Sequence, residues 1–368
     1  MSSWGQQIKL SVFGESHGPA IGVVLDGLPA GERISREELS AQMLRRAPGR
    51  DKTATPRSEK DEPRILSGML GDKTTGTPLC AVIENTNTRS GDYGNLLTVP
   101  RPGHGDFTGF VRYGGHNDIR GGGHFSGRLT APLVFAGAVC RQILAARGIC
   151  IGAHIASVGP VQDSRFVPEE IPEELLRRLS QSSFALIDPA VEAPMRSLIE
   201  ECRLSQDSVG GVVECAVTGM PAGVGSPMFD GVENRLASLL FGIPAVKGVE
   251  FGEGFGAAAM RGSEHNDAFC MKEGKVATVT NRHGGILGGI TSGMPIVFRV
   301  AVKPTPSISR PQQSVDLTTG EETTLSIHGR HDPCIVPRAV PVVEACAAIA
   351  LLDLLLSSGQ PLPRTYPE

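Results

Sequence analysis

Aromatic residues are scarce in this sequence: one Trp, three Tyr and 13 Phe make up 5% of its 368 residues. Proteins that bind single-stranded nucleic acid usually stack the bases on aromatic side chains. The formal net charge of −4 also provides no general attraction to nucleic acid or to an anionic membrane surface. The composition therefore argues against nucleic-acid binding and membrane binding.

Paired cysteines and targeting segments are missing as well. None of the eight cysteines forms a C-x-x-C pair, and several stand in apolar stretches that are typical of buried, reduced thiols. The N-terminus has no basic region followed by an apolar run, so no secretory signal is visible. The segment from Ala339 to Leu356 is too short, and too interrupted by Glu344 and Asp353, for a membrane span. We expect a cytoplasmic protein.

Two phosphate-binding fingerprints are also absent. The sequence contains no G-x-x-x-x-G-K-[S/T], and the run from Gly252 to Gly256 lacks the last glycine of the dinucleotide motif. A phosphate-bearing cofactor would have to be held by another arrangement.

Hydrophobic patterns predict both helices and strands. Ser35 with Glu38 indicates a capping box that opens a helix ending before Pro48. Two long stretches with few charges predict buried helices from Leu129 to Arg147 and from Ala339 to Leu355. Weaker helical patterns cover Ser197 to Leu204 and Phe229 to Leu240. Alternating residues predict strands at Ala20 to Leu25, Pro78 to Glu84, Gly211 to Thr218, Val276 to Thr280 and Met294 to Val302.

The 46 glycines and 27 prolines concentrate in the connections, and no linker marks a domain boundary. Each half of the chain carries glycine-bounded strands and one buried helix, although no residue-level repeat is visible. We therefore predict a mixed α/β sandwich in one domain, residues 1–368, with two pseudo-repeated halves.

The first candidate site surrounds His17, which follows Glu15 and Ser16 between Gly14 and Gly18. An isolated histidine in a turn most often bonds to the backbone. Here the two glycines let a ligand approach the backbone closely, which favours a functional role.

A basic run follows the first predicted helix. Its five basic residues stand against one acid, Asp51: they are Arg45, Arg46, Arg50, Lys52 and Arg57. Most such runs are solvated surface charge. This run lies in a loop with proline and glycine, where guanidinium groups can bind phosphate or carboxylate. A binding role and solvated surface charge are therefore equally consistent with it.

The densest polar tract runs from Arg101 to Arg128 and contains three histidines, His104, His116 and His124. Their spacing matches no common metal-ligand pattern, so we expect no metal. The turn Gly121 to Gly123 leads into a buried helix, and free N–H groups at a helix start favour anions.

Two late loops complete the candidates. Lys303 to Ser307 offers an ammonium and hydroxyls on a turn that prolines make rigid. The alternative is an ordinary loop after a strand, with no role in binding. Gly329 to Cys334 (GRHDPC) places Arg330 and Asp332 before the last buried helix, where an ordinary N-terminal cap would look the same.

Taken together, these tracts resemble the chorismate synthase family from Gly14 to about Leu355. Three blocks carry the resemblance in the right order: Gly14 to Gly18 (GESHG), Arg101 to Arg128, and Gly329 to Cys334. Shorter agreements are Asn85-Thr86, Ala245 to Glu250, Gly284 to Gly289 and Lys303 to Thr305.

The resemblance implies an α+β fold, a β-α-β sandwich of long central helices between antiparallel sheets, assembled as a homotetramer. It implies the last step of the shikimate pathway, in which 5-enolpyruvylshikimate 3-phosphate loses phosphate and a C6 hydrogen by 1,4-anti elimination to give chorismate. The reaction has no net redox change yet requires reduced FMN. The family's large insertions that accompany flavin reduction by NADPH are not evident, so we expect an external flavin reductase.

The resemblance also assigns residues. His17 resembles the proton donor to the leaving phosphate, His104 the histidine at flavin N1, and Asp332 the carboxylate near flavin N5 that relays the C6 hydrogen. Ser16 and Ser126 resemble their partners in proton relay. The residues implied for substrate anions are Arg45, Arg46, Lys52, Arg101, Arg128 and Arg330. Those implied for flavin are His124, Phe125, Ser126, Ala245, Gly288, Lys303, Pro304, Thr305, Pro306, Ser307 and Arg330.

Some positions depart from the family pattern. Leu129 stands where Glu is usual, Pro244 where Asn is common, and Lys52 where Arg is frequent. His124-Phe125 is also unusual, so we expect those flavin contacts to run mostly through the backbone.

Two rival functions remain: a non-catalytic anion- or nucleotide-binding protein, and a conventional FMN oxidoreductase.

Overall fold

A computed structural model of the chain describes residues 2–49, 61–86, 96–327 and 332–359. Within these ranges, two five-stranded antiparallel sheets enclose long helices. The predicted α+β fold, with long helices between antiparallel sheets, is therefore confirmed.

The first sheet is built from the N-terminal part of the chain. In spatial order its strands are β1 (Ser3–Trp4), β2 (Lys9–Gly14), β3 (Ala20–Asp26), β7 (Leu79–Glu84) and β4 (Arg64–Ser67). Because side chains alternate along a strand, the apolar residues of β3 and β7 meet on one face. The buried cross-strand pairs on that face are Ile21 with Ile83, Val23 with Ala81 and Leu25 with Leu79.

The second sheet comes from the C-terminal half. In spatial order its strands are β11 (Val246–Phe251), β16 (Ile296–Val302), β10 (Gly211–Thr218), β8 (Cys150–Val158) and β9 (Val161–Gln162). Four hairpins add β5 (Met69–Leu70) with β6 (Lys73–Thr74), β12 (Phe269–Lys272) with β13 (Lys275–Thr278), β14 (Ile286–Leu287) with β15 (Ile290–Thr291), and β17 (Gln312–Val315) with β18 (Glu322–Leu325).

The α-helices include both long apolar helices that the sequence predicts. They are α1 (Arg36–Arg46), α2 (Asp106–Tyr113), α3 (Thr130–Ala145), α4 (Glu173–Leu179), α5 (Glu192–Leu204), α6 (Val232–Leu240), α7 (Gly262–His265) and α8 (Val336–Ser357). The Ser35 hydroxyl caps α1 by accepting from the Glu38 N–H at 3.2 Å. The reciprocal half of the predicted capping box does not form, because the Ser35 N–H donates to Gln142 Oε1 at 2.7 Å.

Helices α3 and α8 form the centre of the molecule. The first packs on β2, β3 and β7, the second on β8 and β10, and the two helices pack on each other. By length and composition both could span a membrane, but their side chains are almost all buried in this protein core. The helices touch at Gly137, where a Cβ atom would lie only 2.2 Å from the Cβ of Ala345.

The buried apolar residues of both sheets and both central helices form one continuous cluster. None of the eight cysteines is paired, and burial raises the pKa of Cys334 and Cys346 to about 12. Cys334 and Cys346 are therefore unreactive core residues. The division into two pseudo-repeated halves within one domain stays a prediction.

Candidate active site

A cavity of about 580 Å³ lies where the N-terminal ends of α3 and α8 meet. This volume is in the range of small-molecule sites. Both helices direct their positive dipole ends toward it, which favours anionic ligands. The polar residues of its wall include Arg46, Arg101, His104, Ser126, Arg128, Lys247, Lys303, Asp332 and Arg338.

A turn of three glycines brings the two predicted acid-base histidines together. Gly121, Gly122 and Gly123 all have positive φ, at 61°, 84° and 52°. A Cβ on Gly121 would lie 2.7 Å from His17 Nε2, and one on Gly122 would lie 3.2 Å from His104 Nε2. Only bare backbone fits between these imidazoles, so the glycines are needed for the close approach.

His104 is held by a buried carboxylate. Its Nδ1–H donates to Asp106 Oδ1 at 2.6 Å, and Arg101 donates to the same carboxylate through Nε and Nη2, both at 2.7 Å. Arg101 Nη1 also donates to Ser307 Oγ at 3.1 Å. Burial raises the pKa of Asp106, but the hydrogen bonds and charges of Arg101 and His104 outweigh it and hold that pKa well below its usual range.

Two arginines in the cavity wall share one acid. Arg46 Nη1 donates to Asp61 Oδ2 at 2.5 Å, and Arg128 Nη1 donates to Asp61 Oδ1. Burial lowers the pKa of Arg46 to about 10, with the Asp61 charge opposing it and the Arg338 and Arg128 charges adding to it. Arg46 remains a cation at neutral pH, so the wall keeps a net positive charge even with Asp61 behind it.

Asp332 stands just before α8 and accepts a hydrogen bond from Arg338 Nη1. Arg338 also donates through Nε to the carbonyl oxygen of Arg46 at 3.0 Å. The Arg338 guanidinium thus links the carboxylate at the start of α8 to the end of α1. Arg338 and Arg46 both line the same cavity.

The far side of the cavity suits a phosphate-bearing group. Lys247 and Lys303 lie there, and burial together with the Lys247 charge lowers the pKa of Lys303. The hydroxyls of Thr305 and Ser16 are buried and have no hydrogen-bond partner among the described residues. Buried polar groups are normally paired, and of these two residues Thr305 lines the cavity, so its hydroxyl can bond to a ligand there.

Most predicted site residues do reach this cavity. Those in its wall are Arg46, Arg101, His104, His124, Phe125, Ser126, Arg128, Ala245, Lys303, Thr305, Pro306, Ser307 and Asp332. His17 and Ser16 lie directly behind Gly121, which is itself part of the wall. Ala245 adopts a φ of 75°, an unusual backbone for a residue with a side chain.

Other predicted residues lie elsewhere. The Arg45 guanidinium points into the core, where it donates to Glu344 Oε2 at 2.5 Å and to the carbonyl oxygens of Leu179 and Ser182. Gly288 lies in the turn between β14 and β15, and neither it nor Pro304 is part of the cavity wall. Lys52 and Arg330 fall outside the described residues.

The His124 side chain is directed away from the cavity. Its Nδ1–H donates to the carbonyl oxygen of Gly14 at 2.8 Å, and the Ser2 hydroxyl lies 2.6 Å from its Nε2. Both ring nitrogens are therefore used within the protein, which leaves the backbone of this residue for ligand contacts.

Four charged residues of the site escaped the sequence analysis: Asp61, Asp106, Lys247 and Arg338. A usable signal existed for the first, because the basic run ends in the acids Glu59, Asp61 and Glu62. Asp106 stands two residues after His104 at a helix start, which is a spacing that lets a carboxylate reach the ring. Arg338 gave no signal, since it lies within an apolar helix.

Comparisons with known proteins agree on one family. A model of the chorismate synthase family matches residues 8–356. The chorismate synthase of Thermococcus kodakarensis is 48% identical over 352 residues, covering 96% of this chain and 97% of the relative. That of Dehalococcoides mccartyi strain BAV1 is 48% identical over 358 residues, covering 97% of each.

A solved structure gives the same answer for the fold. A crystal structure of a chorismate synthase superposes with a TM-score of 0.75 at 29% sequence identity, covering 98% of this chain and 94% of that one. With the family's sequence over nearly its whole length and the family's architecture around the cavity, this chain belongs to the chorismate synthase family.

Proposed function

We propose that the chain converts 5-enolpyruvylshikimate 3-phosphate to chorismate by 1,4-anti elimination of phosphate, with reduced FMN as cofactor, in aromatic amino acid biosynthesis. The observation that carries the proposal is the meeting of His17, His104, Asp332 and two arginines around one cavity. His17, His104 and Asp332 come one from each of the three sequence blocks that resemble the family's motifs.

The substrate carries a phosphate and two carboxylates, and the wall is built to hold such a polyanion. Arg46 and Arg128 lie next to the start of α3, and their two positive charges are only partly balanced by the single carboxylate of Asp61. Guanidinium groups bind phosphate and carboxylate oxygens through paired hydrogen bonds. The buried arginines therefore replace the water that the anion loses on entering.

The elimination needs one proton given and one taken. His17 lies against the glycine turn, where it can protonate the phosphate oxygen as the allylic C–O bond breaks. The Asp332 carboxyl lies in the cavity wall, and it is the group to receive the proton that leaves the substrate. His104, with Nδ1–H fixed by Asp106, presents Nε2 on the same turn.

The residues present fit FMN. Lys247, Lys303 and the unpartnered Thr305 hydroxyl would hold its phosphate, and the backbone of Phe125 and Ser126 would contact its ring system. When bound, reduced FMN supplies electron density that assists loss of the allylic phosphate. The chain's own residues bind the substrate, exclude water and move protons.

An anaerobic assay with photoreduced FMN tests the proposal. We expect chorismate and phosphate in equal amounts without net oxidation of flavin, and no turnover with NADPH alone unless a flavin reductase is added. Ligand binding without turnover would favour a non-catalytic binding protein. Consumption of reductant in proportion to product would favour a conventional oxidoreductase.

We also propose a cytoplasmic homotetramer. Large apolar side chains stand exposed on the second half of the chain, with Phe229, Phe255 and Phe269 exposed by 82%, 84% and 70%. Exposed apolar surface of this kind is usual at subunit contacts. Light scattering should give four times the chain mass of 38.8 kDa at micromolar concentration. A particle of single-chain mass would contradict the assembly.

A further inference from the structure

The carboxylate of Asp106 accepts several hydrogen bonds next to the cavity. It begins α2 and is buried, with only 6% of its side chain exposed. It accepts four hydrogen bonds: from the Arg101 N–H at 3.0 Å, from Arg101 Nε and Nη2 at 2.7 Å each, and from His104 Nδ1 at 2.6 Å. Asp106 itself does not line the cavity, whereas Arg101 and His104 do.

The chemistry of these groups determines where the His104 proton lies. An ionised carboxylate only accepts hydrogen bonds, so the ring nitrogen that bonds to it must carry a hydrogen. The nearby Arg101 Nη2 lies 3.2 Å from Nδ1, but an arginine nitrogen can only donate. The two donors are close because both point at Asp106 Oδ1, and Nδ1 cannot be a bare acceptor for Arg101.

The position of the opposite ring atom follows. With Nδ1–H turned to Asp106, Nε2 faces Gly122, where a Cβ would lie 3.2 Å from it. Arg101 cannot swing away freely, because its Nη1 is also bonded to Ser307 Oγ at 3.1 Å on the opposite wall. The ring is therefore fixed both in orientation and in tautomer.

We propose that Asp106 is a positioning residue for this active site: together with Arg101 it locks His104 with the hydrogen on Nδ1, so that Nε2 is the atom presented to the ligand. Arg101, which sequence reasoning assigns to substrate anions, then acts mainly as the clamp of this carboxylate. The meaning for catalysis rests on the proposed function, but the lock itself is a property of the ligand-free protein.

The test is nitrogen NMR of the ligand-free protein labelled with ¹⁵N-histidine, with the His104 signals assigned by a His104→Gln variant. In the unsubstituted protein we expect a protonated Nδ1. In Asp106→Asn the amide can either accept from Nδ1 or donate to it, so the Nε2–H tautomer that neutral imidazole favours in water should become populated.

Turnover supplies the second measurement. Loss of the lock should lower kcat by roughly tenfold or more, because His104 Nε2 is then no longer held in one tautomer and orientation toward the ligand, while KM changes little. Asp106→Glu keeps the charge and should restore part of both signals. Glu200→Gln is the matched control, since Glu200 makes a similar two-bond pair with Arg203, at 2.6 and 2.7 Å, on exposed α5.

The outcomes separate cleanly. An unprotonated Nδ1 in the unsubstituted protein, or an unchanged His104 tautomer in Asp106→Asn, would overturn the proposal. An altered tautomer with normal kcat would overturn its role in catalysis. If Asp106→Asn does not fold, Asp106→Ser removes the carboxylate and keeps a small polar side chain at the start of α2, and an unchanged ring signal there would count against the lock. Failure of the unsubstituted protein to turn over substrate would reject the proposed function, while the NMR comparison would still decide on the lock.

Discussion

Two of the buried networks of charged groups in the described part of the chain differ in one respect that matters. One surrounds the cavity; the other runs across the second sheet. There both ring nitrogens of His154 are bonded to carboxylate oxygens, of Asp163 at 2.8 Å and of Glu214 at 3.0 Å. Arg299 lies 3.5 Å from Glu214 and donates to Glu250 at 2.6 Å.

The sheet network follows the strand register. His154 on β8, Glu214 on β10, Arg299 on β16 and Glu250 on β11 are direct cross-strand neighbours. Backbone N–H groups close its ends, since Phe166 donates to Glu214 at 3.0 Å and Ile187 donates to Asp163 at 2.7 Å. None of these side chains lines the cavity at the helix ends.

The pKa of His154 is raised: burial lowers it, but hydrogen bonds and charges from Asp163 and Glu214 outweigh burial. By burial and pKa shift alone this histidine resembles a catalytic one. The cavity network differs because it has bare glycine backbone beside its histidines and buried hydroxyls without partners at Ser16 and Thr305. The unpartnered Thr305 hydroxyl in the cavity wall and the bare glycines beside the histidines, rather than a shifted pKa, distinguish the site from the structural network.

The largest expected effect is on turnover. His17→Ala removes the proposed proton donor and should slow the reaction by about 10²–10⁴-fold, as is typical for loss of a general acid. Its thermal midpoint should stay close to that of the unsubstituted protein. Steady-state assay with reduced FMN, alongside a thermal scan, checks both; near-normal turnover would remove His17 from the mechanism.

His154→Ala should give the opposite pattern. It leaves the Asp163 and Glu214 carboxylates buried without their shared partner, and breaking a buried charge pair costs about 3–5 kcal/mol. Urea unfolding should show this loss, while kcat per folded molecule is retained. A stable variant with reduced kcat would mean that the sheet network serves catalysis after all.

A smaller effect is expected for substrate affinity. Arg128→Ala removes charge-assisted hydrogen bonds worth roughly 1.5–3 kcal/mol, so substrate should bind about ten- to a hundredfold more weakly. Arg141→Ala is the control, because Arg141 also pairs with a buried acid, Glu344 at 3.1 Å, but lies outside the cavity wall. Calorimetric titration that finds equal weakening in both variants would contradict this placement of the anion site.

The smallest effect concerns pH. Because the folded pKa of His154 is raised above its unfolded value of 6.5, its contribution to stability is complete below that value. The contribution is lost as the pH rises through the folded pKa. Urea midpoints measured upward from pH 6 should therefore fall for the unsubstituted protein and fall less for His154→Gln. Parallel curves would show that His154 gains no proton on folding.

The sequence predicts those parts of the fold whose signals are local. The apolar runs that became α3 and α8, and the alternation of β10, are read from neighbouring residues, and β10 has the predicted bounds. Strand β8 was not predicted, because a buried face that carries His154 does not look apolar in the sequence. His154 is stabilised there by Glu214, which lies opposite it on β10. The helix predicted from Phe229 begins at Val232, since Met228–Asp230 form a short 3-10 turn first.

The candidate site shows the same limit. Sequence reasoning brought the right basic and histidine residues into one tract but treated the arginines as open to ligand. Arg45 pairs with Glu344, which lies 299 residues away along the chain. The Arg101 guanidinium donates two of its hydrogen bonds to Asp106. Such pairings depend on the folded chain and leave no periodic pattern. Assignments for Lys52 and Arg330 stay predictions.

The contact between Gly137 and Ala345 has a consequence far from where it occurs. Helices normally pack with axes about 8–10 Å apart, and a missing side chain allows the lower end of that range. Because α3 and α8 both begin at the cavity, their separation at Gly137 also affects how far apart their first turns lie, where Thr130 and Arg338 line the cavity. A residue in the middle of the protein that has no side chain carbon thus influences how wide a ligand can bind in the cavity where the two helices begin.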